Sequence, residues 1–168
     1  MPKAVRLFVR YVEAVNRIVG RITMLLIFAM MGVLLYSSIM KTVAIPPLWT
    51  LEMAQFLMVG YFLLGGPYSM QLGEHVRMDL LYGAWSDRTK TQVDVITILF
   101  LIFYLALLLW GGLSSSGYAL QYGERSYSAW RPYMAPIKII MCIGIFMMLL
   151  QAIAMFIKDI AKLRGEEL

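Results

Sequence analysis

One histidine, His75, and one cysteine, Cys142, are all the imidazole and thiol this chain possesses. A single histidine cannot ligate a haem from both sides, and one histidine with one cysteine makes no zinc set. Cys142 has no thiol partner in the chain, so no intramolecular disulfide forms and cysteine usage is silent about the redox compartment. Neither a glycine-rich phosphate loop nor a nucleophile–base pair at recognisable spacing is present. Charge is scarce as well: Asp, Glu, Lys and Arg make up 15% of the residues, against about 25% in soluble domains. Four long runs, residues 22–40, 53–73, 95–123 and 139–157, contain no charged residue at all. Membrane proton relays and coupling-ion sites need acidic or basic groups near mid-span, or broken helices in matched pairs. The chain offers no such group and one interrupted helix without a mate, so it does not read as a transporter, channel or enzyme by itself.

What is abundant is apolar. Hydrophobic residues form 61% of the 168, and mean hydropathy is +0.73. A membrane-crossing helix needs roughly 20 mostly apolar residues at about 1.5 Å each. Each charge-free run meets that length, which leaves only connectors and two short tails, with no soluble domain to house a cofactor, nucleotide or catalytic cleft. The expected fold is therefore an all-α integral membrane protein. It has four transmembrane helices, at about 22–44, 51–72, 88–117 and 133–157, in a single membrane domain over 1–168.

The net charge of +5 is unevenly placed. Lys3, Arg6, Arg10, Arg17 and Arg21 precede the first span. Arg77, Arg88 and Lys90 separate spans two and three, and Lys158, Lys162 and Arg164 follow span four. The opposite connectors hold Lys41, Arg125 and Arg131, with Lys138 just inside span four. Eleven cations against four, with an even number of crossings, put both termini and the middle loop in the cytoplasm. Contact with anionic lipid is a by-product of that bias. The first apolar run exceeds the roughly 7–15 residues of a signal-peptide core and no A-x-A-like site closes it, so the first span is expected to remain.

Residues 3–21 have the pattern of an amphipathic helix lying in the headgroup layer. Arg6, Arg10, Glu13, Arg17 and Arg21 recur at spacings of four and three, opposite Val5, Phe8, Val9, Val12, Val15 and Val19. Two roles are open to such an arm: anchoring span one, or packing on a partner subunit. Pro46-Pro47 ends the first span, since proline lacks the amide donor and disfavours helix in its predecessor. Trp49 suits the outer interface. Gly65-Gly66-Pro67 predicts a kink in span two. Ser86 or Asp87 can cap span three, which is expected to run to about Gly117. Along it, the rows Gly111/Ser115 and Gly112/Ser116 permit close helix approach. The outer loop, 118–132, is aromatic-rich and reads as a lid on the interface. Fourteen methionines serve as soft packing filler.

Charged residues at span edges are the remaining candidates. Glu52, one turn into span two, is either a solvated acid favoured by the helix dipole or half of an ion pair with Lys41, Lys138 or a partner subunit. His75, Arg77 and Asp79 either contact headgroups or form a cytoplasmic docking element. Lys138 can snorkel outward.

The runs Trp49-Thr50-Leu51-Glu52-Met53-Ala54, Leu63-Leu64-Gly65-Gly66-Pro67-Tyr68 and His75-Val76-Arg77-Met78-Asp79-Leu80-Leu81-Tyr82 carry a resemblance, in that order and spacing. So do Ser128-Ala129-Trp130-Arg131-Pro132 and Leu149-Leu150-Gln151-Ala152-Ile153. Together they resemble the small, DctQ-type membrane subunit of tripartite ATP-independent periplasmic (TRAP) transporters, over nearly the whole chain. The resemblance implies a partner: a large multi-span subunit that carries the sodium and substrate sites. It also implies transient contact with a periplasmic solute-binding protein that delivers an organic acid. The small subunit enlarges the static scaffold and needs no cofactor or metal of its own. Glu52, His75, Arg77, Asp79 and Lys138 become expected subunit contacts or structural residues. Glu124, Arg125 and Trp130 mark an expected docking loop at the periplasmic face. Two other classes compete: a self-sufficient homodimeric four-span exporter using Glu52, and a membrane enzyme or quinone/haem anchor. The first needs a mid-span carboxylate, the second several histidines or a polar cavity.

Overall fold

In a computed structural model the described residues are 3–43, 45, 47–73 and 87–163. They form five helices: α1 (Lys3–Met24), α2 (Leu26–Val43), α3 (Thr50–Leu72), α4 (Asp87–Tyr122) and α5 (Ala135–Leu163). No strand occurs among them beyond one isolated bridge between Arg125 and Tyr133. Three stretches are long and apolar enough to cross a membrane: Lys3–Val43, Gln92–Tyr122 and Ala135–Lys162. The remaining helix, α3, has the length, 23 residues, or about 34 Å. Gln55, the Gly65-Gly66-Pro67 cluster and its tyrosines dilute its hydropathy.

The arm and the first apolar helix part at Leu25, a single turn residue. Its N–H bonds Ile22 O at 3.0 Å, and its carbonyl takes Phe28 N–H at 3.1 Å. The break lies about a turn beyond the expected end of the arm. It leaves α2 with 18 residues, about 27 Å of helix. α3 runs unbroken through Pro67 and ends at Gly73, left-handed at φ 73°, whose N–H caps Met70 O. α4 does not stop at Gly117 but continues to Tyr122. Nothing at Gly117 forces a stop, because Ser and Gly are tolerated inside an apolar helix where no water competes for its backbone.

Helix contacts run in a row, α2–α3–α5–α4, with α1 laid against α3 and α5. α5 is the most enclosed of the apolar stretches. Its Ile145 and Ala152 meet Met70 of α3 and Leu105 of α4 in the main core, and Ala154 meets Val9 and Val12 of α1 in a second. A Cβ on Gly144 would lie 2.8 Å from Leu63 Cβ and 2.9 Å from its backbone carbonyl, so only glycine lets α3 and α5 approach this closely. Of the two small-residue rows on α4, one faces α5. A Cβ on Gly112 would sit 3.2 Å from Cys142 Sγ, and Ser116 Oγ is 3.2 Å from the same sulfur. Gly111 has nothing near it.

Candidate functional site

Polar side chains gather at the two ends of the row. At the end holding the start of α3, Thr50 is fully buried. Its hydroxyl donates to Pro47 O at 3.1 Å, so the 2.9 Å bond to Ser37 has Ser37 as donor. That pair ties α2 to α3 across the diproline connector. Glu52 follows, 9% exposed. Its Oε1 accepts from Ser126 Oγ at 3.4 Å, while Oε2 is buried without a partner.

Ser126 belongs to the loop between α4 and α5, which folds back on itself. Ser126 N–H donates to Pro132 O and Met134 N–H to Glu124 O, both at 3.0 Å. Arg131 sits at φ 49°, with its N–H on Ser128 Oγ at 3.2 Å. A non-glycine residue in that region costs about 1–3 kcal/mol, which the loop's closure must offset. Two side-chain pairs brace it. Lys138 on the first turn of α5 forms an ion pair with Glu124, and Arg125 donates to Tyr133 Oη while its guanidinium stands 4.2 Å from that ring's centre. Outside these braces Tyr127 is fully exposed and Trp130 is 40% exposed.

The structure thus brings Glu52, Glu124, Arg125, Trp130 and Lys138 to one end of the molecule. It does not pair Glu52 with Lys138 or Lys41. Lys138 is held by Glu124, and no cation among the described residues reaches Glu52. The reason is local: the loop turns directly into α5, and the bond from Met134 N–H to Glu124 O sets Glu124 beside Lys138 on the first turn of that helix. His75, Arg77 and Asp79 lie outside the described residues.

The opposite end holds contacts that spacing did not reveal. Asn16 Nδ2 donates to Gln151 Oε1 at 2.7 Å, both residues buried. Glu13 forms an ion pair with Lys158. The usable signal was Gln151, the sole amide in the run 139–157, since a polar group deep in an apolar helix requires a partner. Among the described residues no three His, Cys, Asp or Glu side chains are grouped as a metal site would need. The largest described cavities, about 490 and 380 Å³, lie beside α1.

Among the described residues no mid-span carboxylate emerges: Glu52 stays in the first turn of α3, with Ser126 Oγ at 3.4 Å. The geometry is that of a membrane protein whose polar groups hold helices and loop together rather than line a path through them. No curated protein and no solved structure matches the chain. The family model for tripartite ATP-independent periplasmic transporters, DctQ component, matches residues 30–162. The chain belongs to that family, the small membrane subunits of TRAP transporters.

Proposed function

We propose that this subunit is the accessory scaffold of a sodium-coupled, binding-protein-dependent organic-acid importer in the cytoplasmic (inner) membrane. It crosses four times, through α2, α3, α4 and α5, with both termini cytoplasmic, and α1 lies in the inner headgroup layer. The large multi-span subunit binds along the row and performs transport. The loop around Glu124, Arg125 and Trp130 helps seat the periplasmic binding protein.

The observation that carries this reading is the row itself. Its edge helix α4 exposes Phe100, Phe103, Leu107 and Trp110 by half or more, while the interior holds no acidic or basic group at mid-helix. Such an assembly has surface to offer a neighbour and no chemistry with which to move a solute alone. The exporter alternative loses support, because Glu52 lies in the first turn of α3 rather than at mid-helix. The test is to co-express the tagged subunit with its genomic neighbours and purify in mild detergent. A large multi-span protein retained in fixed stoichiometry supports the scaffold. A stable lone homodimer, monodisperse without any partner, overturns it.

A further inference from the structure

Two cavities meet beside α1, and their linings differ sharply. The larger, about 490 Å³, is an apolar groove between Gly20, Thr23 and Met24 of α1 and Phe62, Gly65 and Met148 opposite. The second, about 380 Å³, is a polar cup lined by Glu13, Arg17, Arg21, Gln71 and Lys158. Tyr68 and Leu72 line both, so groove and cup adjoin. Tyr68 is held there by close packing, because a Cβ on Gly20 would overlap its side chain.

Charge in the cup does not balance. Three cations face one carboxylate, and Glu13 is already committed to Lys158. No carboxylate of a described residue pairs with Arg17 or Arg21. Gln71 Oε1, buried and without a hydrogen-bond partner, is an acceptor and calls for a donor such as a hydroxyl. The occupant that suits both halves carries an anion on a slim apolar chain. We infer that Arg17 and Arg21 clamp the phosphate of one anionic phospholipid, whose acyl chain lies in the groove over Gly65. The lipid then fills the gap between arm and α3 and makes the arm's docking depend on the membrane's composition. The inference uses the membrane setting of the subunit but not its partner.

The test is native mass spectrometry of the subunit as it purifies in mild detergent, with or without a bound partner, after delipidation and titration with phosphatidylglycerol or phosphatidylcholine of identical chains. Phosphatidylglycerol is expected to bind preferentially. R17Q/R21Q should weaken it about 30-fold, two charges at about 1 kcal/mol each. If the double variant does not accumulate, R21Q alone should lose about fivefold. Gly65→Leu, whose Cβ meets only Thr23 at 3.7 Å, should block the chain with the arginines intact. Millimolar inorganic phosphate should not displace the lipid. Equal loss in R6Q/R10Q would reveal a merely basic arm, and displacement by phosphate a bare anion site. Full binding by Gly65→Leu, or exclusion of lipid by the large subunit, would show the groove to hold something else. Any of these overturns the inference, and none bears on whether the large subunit co-purifies.

Discussion

Asn16 and Gln151, 135 residues apart in sequence, form a buried amide–amide hydrogen bond of 2.7 Å that fastens the N-terminal arm to the most enclosed helix. Val9 and Val12 pack on Ala154 beside it, and Glu13 reaches Lys158 one turn further on. The arm is therefore part of the folded body, gripped on one flank, with Leu7, Tyr11, Ile18 and Ile22 exposed on the other.

Asn16→Ala should loosen the arm by about 1–3 kcal/mol, because it strands the Gln151 carbonyl in an apolar interior. Asn16→Leu combined with Gln151→Leu should recover most of that loss, since no polar group is then left unpaired. Protease sensitivity of residues 3–24 in detergent or nanodiscs reads both. A double variant no better than the single would mean the bond is incidental.

Glu52→Gln should leave the isolated subunit as stable as before or more so. The amide oxygen still accepts from Ser126, and a buried negative charge without a counter-ion gives way to a neutral amide. If Oε2 instead meets a cation of the large subunit, the same change should weaken co-purification by tenfold or more, roughly the cost of stripping one side of a buried ion pair. Thermal unfolding of the subunit alone and retention of the complex separate these outcomes.

Gly144→Ala should cost about 1–3 kcal/mol, the usual penalty for overpacking, because its new methyl meets the Leu63 backbone rather than a movable side chain. Gly111→Ala, with nothing within 4 Å, should be neutral or slightly stabilising. Comparing their thermal aggregation in one detergent suffices. Equal behaviour of the two would mean that α3 and α5 do not meet at Gly144.

Lys138→Met should release Glu124 and open the loop at its base, at a cost of about 1–3 kcal/mol, between the exposed and buried limits for ion pairs. Trp130→Ala should leave the subunit's stability unchanged yet reduce its affinity for the binding protein by about 30-fold, as loss of an exposed aromatic anchor does. Thermal unfolding of the subunit reads the stability of both variants, and surface plasmon resonance on nanodisc-embedded complex reads the affinity. Undiminished affinity in Trp130→Ala would remove the loop from the docking surface.

Much of this architecture is legible in residue order. The helical segments follow from charge-free runs, and the run 53–73 closes where α3 does, at the Gly73 cap. Elsewhere the pattern was insufficient. The Gly117 boundary passed unnoticed into helix, because a glycine that ends a helix in water need not do so in an apolar setting. Lys138 was one of the partners open to Glu52, and Glu124 was not among the acids weighed for it. Only the way the loop closes, with Arg131 left-handed and Met134 bonded to Glu124 O, selects Glu124.

The sequence alone determined that this is a helical membrane subunit. Lipid provides no hydrogen bonds, so an apolar run must satisfy its own backbone as helix, wherever its neighbours are. The tertiary structure decided the row α2–α3–α5–α4, the seat of the arm and the choice of polar partners. In an apolar solvent a helix's lipid-facing and helix-facing sides are equally hydrophobic, so no periodicity reports who lies beside whom. What does report it is the fit of Gly144 against Leu63 and the pairing of Asn16 with Gln151, and both exist only once the helices have met.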